Sequence, residues 1–82
     1  MEFVIRYRAE DGGEEAALAF ARRLFARFDI AIESLALIPV ADVELDVYLN
    51  GQLVHSQSKS GRPPRLADVY EVLEDLEGRT PP

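Results

Sequence analysis

Cysteine is absent from this 82-residue sequence, and no other property of its composition excludes as much. Without thiols, the chain cannot form disulfides, thiolate-zinc sites or iron–sulfur clusters, and it has no thiol–disulfide exchange of its own. Histidine occurs once, at His55, and the acidic residues show no metal-ligand spacing. We therefore expect neither a metal ion nor a cofactor.

Basic residues are also scarce, since nine Lys and Arg stand against 15 Asp and Glu and give a formal net charge of −6. Nucleic-acid binding usually requires a basic surface, so this balance argues against it. No apolar run approaches the roughly 20 residues of a membrane span, and no charged-then-apolar leader opens the sequence. These features predict a cytoplasmic protein without nucleic-acid or membrane partners.

Apolar residues make up 48% of the sequence, which is typical of a packed globular fold. A chain of this length supports one hydrophobic core. We expect a single domain over residues 1–78, followed by a flexible tail at 79–82.

The hydrophobic pattern predicts six secondary-structure elements. Period-two and β-branched runs indicate four strands, at residues 2–7, 31–38 (ended by Pro39), 42–49 and 52–57. Apolar residues at three- and four-residue steps indicate two helices, at residues 14–29 and 66–76. Leu18 and Phe25 widen the apolar stripe of the first helix, and the polar segment 58–65 is expected to be a loop. The residues expected to be buried include Val4, Leu24, Phe28, Val47, Val54, Val69 and Leu73.

Asn50-Gly51 predicts a tight hairpin between the last two strands, because both central positions of a type I′ turn need positive φ. Pairing outward from Leu49 and Gln52 places Val47 opposite Val54 in the core. The same register places Asp46 opposite His55 on the outer face, where we expect a surface ionic pair. Ser56 neighbours His55 on the strand and should point to the opposite face, so a catalytic pair is not favoured.

The element order is therefore β-α-β-β-β-α. A right-handed crossover makes the first two strands parallel, and the hairpin adds antiparallel strands. We predict an α/β fold, with a four-stranded mixed sheet and two helices on one of its faces.

The loop "YRAEDGG" at residues 7–13 joins the first strand to the first helix. Asp11 and Glu14 have the spacing of a capping box, so Asp11 is expected to cap the helix. Arg8 and the two glycines at the helix start suggest an anion site as an alternative. The crowding of acidic residues at the same end works against that alternative.

Three segments together resemble the selenoprotein W-like proteins (the SelT/SelW/SelH group, or Rdx family): "VIRYRAEDGG", "VELDVYLNGQLVHS" and "SKSGRPPRL". The resemblance implies a thioredoxin-like fold over essentially the whole chain. In the family pattern a Tyr is followed by Cys-x-x-Cys, or by selenocysteine in place of a cysteine, and then Gly. Here Tyr7 matches the Tyr, Gly12 matches the Gly, and Arg8 and Asp11 occupy the two redox positions.

That departure removes the thiol chemistry that the resemblance implies, and no other catalytic constellation is evident. The favoured hypothesis is a redox-inactive module that binds a protein partner. The alternatives are a redox accessory that takes its thiol from glutathione or a partner, and a small structural homodimer formed through a sheet edge or the uncovered sheet face. Candidate contact residues for a partner or an anion are Tyr7, Arg8, Tyr48, Lys59, Arg62 and Arg65.

Overall fold

The computed structural model describes residues 1–78, and the tail predicted at 79–82 lies outside the described residues. The strands are β1 (Glu2–Arg8), β2 (Ser34–Val40), β3 (Leu45–Leu49) and β4 (Gln52–Ser56). The helices are α1 (Gly13–Phe28), α2 (Gln57–Ser60) and α3 (Leu66–Gly78), with a 3₁₀ turn at Asp29–Ala31. The predicted order is confirmed, except that the segment expected to be a loop from residue 58 begins with the short helix α2.

The four strands form one sheet in the order β2-β1-β3-β4. The central strand β1 pairs parallel with β2 and antiparallel with β3. One hydrophobic core joins α1 and α3 to the same face of this sheet, and its buried members are Phe3, Ile5, Ala17, Phe20, Ala21, Leu24, Leu45, Val47, Leu49, Val69 and Val72. The mixed sheet with two helices on one face is therefore confirmed.

Aromatic contacts join the C-terminal end of α1 to α3. The Phe28 ring lies between Phe3 and Tyr70, with ring centroids 6.2 and 5.7 Å apart. The Arg27 guanidinium stacks over Tyr70 at 5.5 Å from the ring centroid. These contacts hold the two long helices side by side over the sheet.

Of the seven residues expected to be buried, three lie fully in the core, three are partly buried against it, and one lies on the other face of the sheet. Leu24, Val47 and Val69 are fully buried, while Phe28, Val54 and Leu73 are half-buried against the core. Val4 is half-buried on the opposite face, because successive side chains of β1 alternate between the two faces. The α1 stripe is also narrower than predicted, since Leu18 and Phe25 are 37% and 49% exposed.

The boundaries of two strands differ from the prediction by more than one residue. Pro39 does not end β2, which continues to Val40, with Pro39 paired to Tyr7 of β1. The proline is tolerated because β2 is an edge strand. The strand also begins at Ser34 rather than Ala31, because residues 29–31 form the 3₁₀ turn, and β3 begins at Leu45 rather than Asp42.

The hairpin turn is confirmed, but the predicted register is wrong beyond Tyr48. Asn50 and Gly51 have φ angles of 50° and 83°, as a type I′ turn requires. A β-bulge then inserts Val54, so that Val47 faces His55 and Asp46 faces Ser56. The inserted residue turns His55 onto the face that the helices cover.

Candidate functional site

The loop between β1 and α1 makes a sharp reversal over residues 8–12. Asp11 and Gly12 both adopt left-handed backbone, with φ angles of 55° and 79°. The amide of Gly13 donates a hydrogen bond to the carbonyl of Glu10 at 3.2 Å. This reversal brings the first turn of α1 directly against the end of β1.

Gly13 lies at the point of closest approach between the strand and the helix. A Cβ at this position would lie 1.7 Å from the carbonyl oxygen of Arg8 and 2.8 Å from its carbonyl carbon. Both atoms are backbone atoms and cannot rotate away. Only glycine fits here, so the loop is held in place by a backbone contact.

The capping box predicted for Asp11 is wrong. The N-cap of α1 is Gly12, and no side chain hydrogen-bonds to the helix start. The left-handed conformation of Asp11 and Gly12 shifts the cap by one residue and leaves Asp11 exposed in the loop. Glu14 and Glu15 occupy the first turn, where their charges favour the helix dipole.

Two clefts flank the loop, and both are lined by Arg8, Glu10 and Asp11. The α1 cleft has a volume of about 250 Å³ and is otherwise lined by Gly12, Gly13, Ala16, Glu44, Leu45 and Gln57. The β2 cleft has a volume of about 420 Å³ and is otherwise lined by Ala9, Pro39, Val40 and Ala41. Arg8 and Asp11, which are predicted to correspond to the two redox positions, therefore lie between two concave surfaces.

The charge of the α1 cleft is mainly negative, because its lining contains three acidic residues and one basic residue, namely Glu10, Asp11, Glu44 and Arg8. This balance does not favour the predicted anion site. Within residues 1–78, the side chains of Arg8, Glu10 and Asp11 form no ion pair or hydrogen bond with each other or with other groups. The same part of the chain contains no cluster of three His or acidic residues that could hold a metal ion.

A second polar cluster lies where segment 57–65 meets α3, and Asp68 is at its centre. Arg62 donates two hydrogen bonds to the Asp68 carboxylate, from Nη2 at 2.7 Å and from Nη1 at 3.0 Å. The amide of Arg65, the residue before α3, donates to Asp68 Oδ2 at 2.8 Å. Asp68 therefore supplies one half of a capping box, at the start of α3.

The contacts of Asp68 shift its titration. The Arg62 hydrogen bonds are the main reason that the pKa of Asp68 falls from 3.8 to about 2, and the Arg65 amide adds to the effect. The Asp68 side chain in turn raises the pKa of Arg62. Asp68 is only 6% exposed and Arg62 is half-buried, so the pair is a partly buried structural contact at the start of α3.

His55 is 6% exposed and belongs to the same cluster, so the predicted surface pair with Asp46 is wrong. Its Nδ1 lies 3.5 Å from Asp68 Oδ2, and its Nε2 lies 2.9 Å from both Ser60 Oγ and the Arg62 carbonyl oxygen. His55 thus lies between Ser60 and Asp68, as the histidine does between the serine and the aspartate of a hydrolase triad. The Ser60 hydroxyl, however, also donates to the Arg62 carbonyl and accepts from the Arg62 amide. These contacts indicate that the cluster fixes segment 57–65 onto α3.

The predicted contact residues are distributed over three regions. Tyr7 and Arg8 lie at the end of β1, where the Tyr7 ring packs against the core. Lys59 and Arg65 are exposed on segment 57–65, where Arg62 is held by Asp68. Tyr48 lies on β3 with its side chain on the sheet face away from α1 and α3.

The part of segment 57–65 that lines the α1 cleft beside the loop is Gln57, and its pair of prolines lies farther along α1. A third cleft of about 170 Å³ is lined by Pro63 and Pro64 together with Ala16, Ala19, Phe20, Arg23, Leu45 and Gln57. It shares Ala16, Leu45 and Gln57 with the α1 cleft, so the two are continuous. The sequence patterns had pointed to the basic side chains of this segment and offered no reason to single out Glu44 or Gln57.

Comparison with known proteins gives a family and a fold. The model of the Rdx family matches residues 4–75. The crystal structure of a selenoprotein W-related protein from Vibrio cholerae is similar, with 20% identity, a TM-score of 0.77, and coverage of 92% of this chain and 94% of that chain. A crystal structure of a Bordetella parapertussis protein matches with 20% identity, a TM-score of 0.72, and coverage of 92% and 95%. Comparison with curated protein sequences gives no match.

Proposed function

Because the chain belongs to the Rdx family, we propose that it is a redox-inactive member that binds a protein partner through the loop at residues 8–12. The observation that carries this proposal is the position of Arg8, Glu10 and Asp11, which line both flanking clefts. Their side chains have no partner within residues 1–78 and are available to another molecule. Protein interfaces typically have a polar, solvent-accessible rim, and arginine is enriched in them.

The residue types at the redox-equivalent positions support the loss of thiol chemistry. Disulfide exchange requires a thiolate that attacks a sulfur atom and forms a mixed disulfide. An arginine at position 8 and an aspartate at position 11 can do neither, and no cysteine occurs elsewhere in the sequence. The loop thus retains the place of a redox site without its reactive group.

The close backbone packing of the loop supports a binding role. The contact between Gly13 and the Arg8 carbonyl fixes the strand end against the helix start. A loop that is already ordered loses little conformational entropy when it binds, so more of its contact energy appears as affinity. The side chains on such a loop can act as a preformed contact surface.

The proposal is tested by affinity capture from a native lysate with three forms of the protein. We expect the wild-type chain to retain at least one protein that an Arg8→Glu, Asp11→Arg double variant loses. A Glu74→Arg variant, altered on the exposed side of α3, is the control and should retain the same protein. If the loop variant captures the same set as wild type, the loop is not the binding surface.

A disulfide-reduction assay, run with and without glutathione, tests the redox half of the proposal. We expect no rate above the background of the reagents in either condition. Glutathione-dependent reduction that requires the protein would instead support an accessory redox role. The alignment of the redox positions is tested separately with an Arg8→Cys, Asp11→Cys variant, which should form a reversible disulfide if the two Cα atoms lie within about 7 Å.

A further inference from the structure

The sheet face opposite α1 and α3 carries an apolar row that crosses all four strands. Ala36, Val4, Tyr48 and Leu53 are consecutive partners in the register from β2 to β4. Leu53 is 39% exposed, and Ile38 in the next row is 41% exposed. We call this surface the open face, because α1 and α3 both pack on the other side of the sheet.

Both edges of the sheet are blocked against an additional strand. Pro39 removes a backbone donor from the edge strand β2, and the bulge at Val54 distorts the edge strand β4. Prolines and bulges on edge strands are common means of preventing edge-to-edge pairing. A partner for this sheet is therefore expected on its open face.

The charges on the open face of one copy are complementary to those on the open face of a second copy. Along β1 the face presents Glu2, Val4 and Arg6 in succession, so that an acid and a base flank the apolar row. The buried Asp46 of β3 lies beside Arg6 in the register of the same face. Within residues 1–78, neither the Glu2 nor the Arg6 side chain has an ion-pair partner. A two-fold axis along the apolar row would place Arg6 of each copy over Glu2 of the other.

We propose that a second copy of this chain covers the open face in a two-fold symmetric dimer. The same axis stacks the apolar rows on each other, as an isologous interface requires. Four strands about 4.8 Å apart and six residues long give a face of about 400 Å² per copy. That area is about half of what a standard interface buries on each partner, so the dimer is weak and depends on concentration. This proposal concerns a different surface from the loop at residues 8–12 and does not depend on the proposed function.

Sedimentation equilibrium from about 10 µM to about 1 mM protein tests the dimer over the range expected for weak association. We expect the mean mass to rise from monomer toward dimer. Glu2→Arg alone and Arg6→Glu alone should each raise the dissociation constant at least tenfold, because each places like charges opposite one another. The double variant Glu2→Arg, Arg6→Glu should return it to within about threefold of wild type, since the pairs are restored in reverse.

Two controls separate this interface from other surfaces. Arg22→Glu, on the exposed side of α1, and Glu74→Arg, on the exposed side of α3, should leave the dissociation constant unchanged. Circular dichroism of each variant confirms that it is folded. A chain that remains monomeric at about 1 mM, or a double swap that fails to restore association, would overturn the proposal.

Discussion

Two segments of the molecule lead into long helices and carry the same pair of residue types, yet they use them differently. Before α1, Arg8 and Asp11 are separated in an open loop, and their side chains have no partner within residues 1–78. At the start of α3, Arg62 donates two hydrogen bonds to Asp68. His55 and the Arg65 amide also contact the Asp68 carboxylate. One segment is fixed by side chains and the other by its backbone.

The difference follows from burial. Asp68 is removed from water, and a buried carboxylate is stable only when charged and polar groups satisfy its oxygens. The loop at residues 8–12 instead obtains its position from the Gly13 contact with Arg8, which needs no side chain. We therefore expect its charged groups to contribute little to folding.

The largest loss of stability is expected for a substitution at Gly13, where the strand end and the helix start pack backbone to backbone. Gly13→Ala places a Cβ where the Arg8 carbonyl oxygen lies, so strand and helix must separate. We expect the free energy of unfolding to fall by about 3 kcal/mol, at the upper end of the usual overpacking range. Urea denaturation monitored by circular dichroism measures this loss.

Gly12→Ala is the matched control for that substitution. Gly12 has a left-handed φ of 79° and open space around the position of a Cβ, so only backbone strain of about 1 kcal/mol is expected. Equal losses for the two variants would show that the close contact at Gly13 is not what anchors the loop.

The sequence predicted the fold well because hydrophobic periodicity is repeated along each element. The apolar stripe over the sixteen residues of α1 indicates a helix, and the alternation of apolar and polar residues in β3 indicates a strand, even where a single residue departs from the pattern. The bulge at Val54 was missed because one inserted residue leaves the composition of the strand unchanged. That single residue turned His55 from a predicted surface partner of Asp46 into a buried partner of Asp68.

The sequence patterns for helix caps were misleading at both long helices, for a related reason. A side-chain cap was predicted at α1 where none occurs, and the capping contact at α3 was not predicted. Asp11 and Glu14 fit the pattern of a capping box, but left-handed backbone at Asp11 moved the cap to Gly12. At α3 the residue before the helix is Arg65, which is not a usual cap, so no sequence pattern indicated that Asp68 accepts a hydrogen bond from its amide. Such contacts depend on backbone angles that residue types constrain weakly.

An intermediate effect is expected at Asp68. The Arg62 contact lowers the pKa of Asp68 to about 2, below its ordinary value of 3.8. A lowered pKa stabilises the folded state at pH values above the ordinary pKa, and that stabilisation is lost as the pH falls from about 4 to about 2. Asp68→Asn should therefore lower the free energy of unfolding by about 2 kcal/mol at pH 7.

The pH dependence distinguishes this electrostatic contribution from a packing defect. The difference between wild type and Asp68→Asn should narrow as urea denaturation is repeated from pH 7 toward pH 2. Asp11→Asn removes a carboxylate charge from the other segment and should change the stability little at any pH. A difference at Asp68 that stays constant with pH would mean that its charge contributes nothing to folding.

The smallest loss of stability is expected for a substitution at Asp11, and this variant tests whether the Asp11 side chain contributes to folding. An N-cap replaced by alanine typically costs about 0.5–2 kcal/mol, whereas an exposed residue without such a role usually changes stability by less than about 0.5 kcal/mol. Asp11 is exposed and hydrogen-bonds to no helix amide, so we expect Asp11→Ala to fall in the second range. Thermal and urea denaturation at pH 7 resolve the two ranges, with Asp68→Ala measured beside it as the case in which the aspartate does hold a helix start. A loss above about 1 kcal/mol at Asp11 would restore the capping interpretation and remove the main reason for assigning its side chain to a partner.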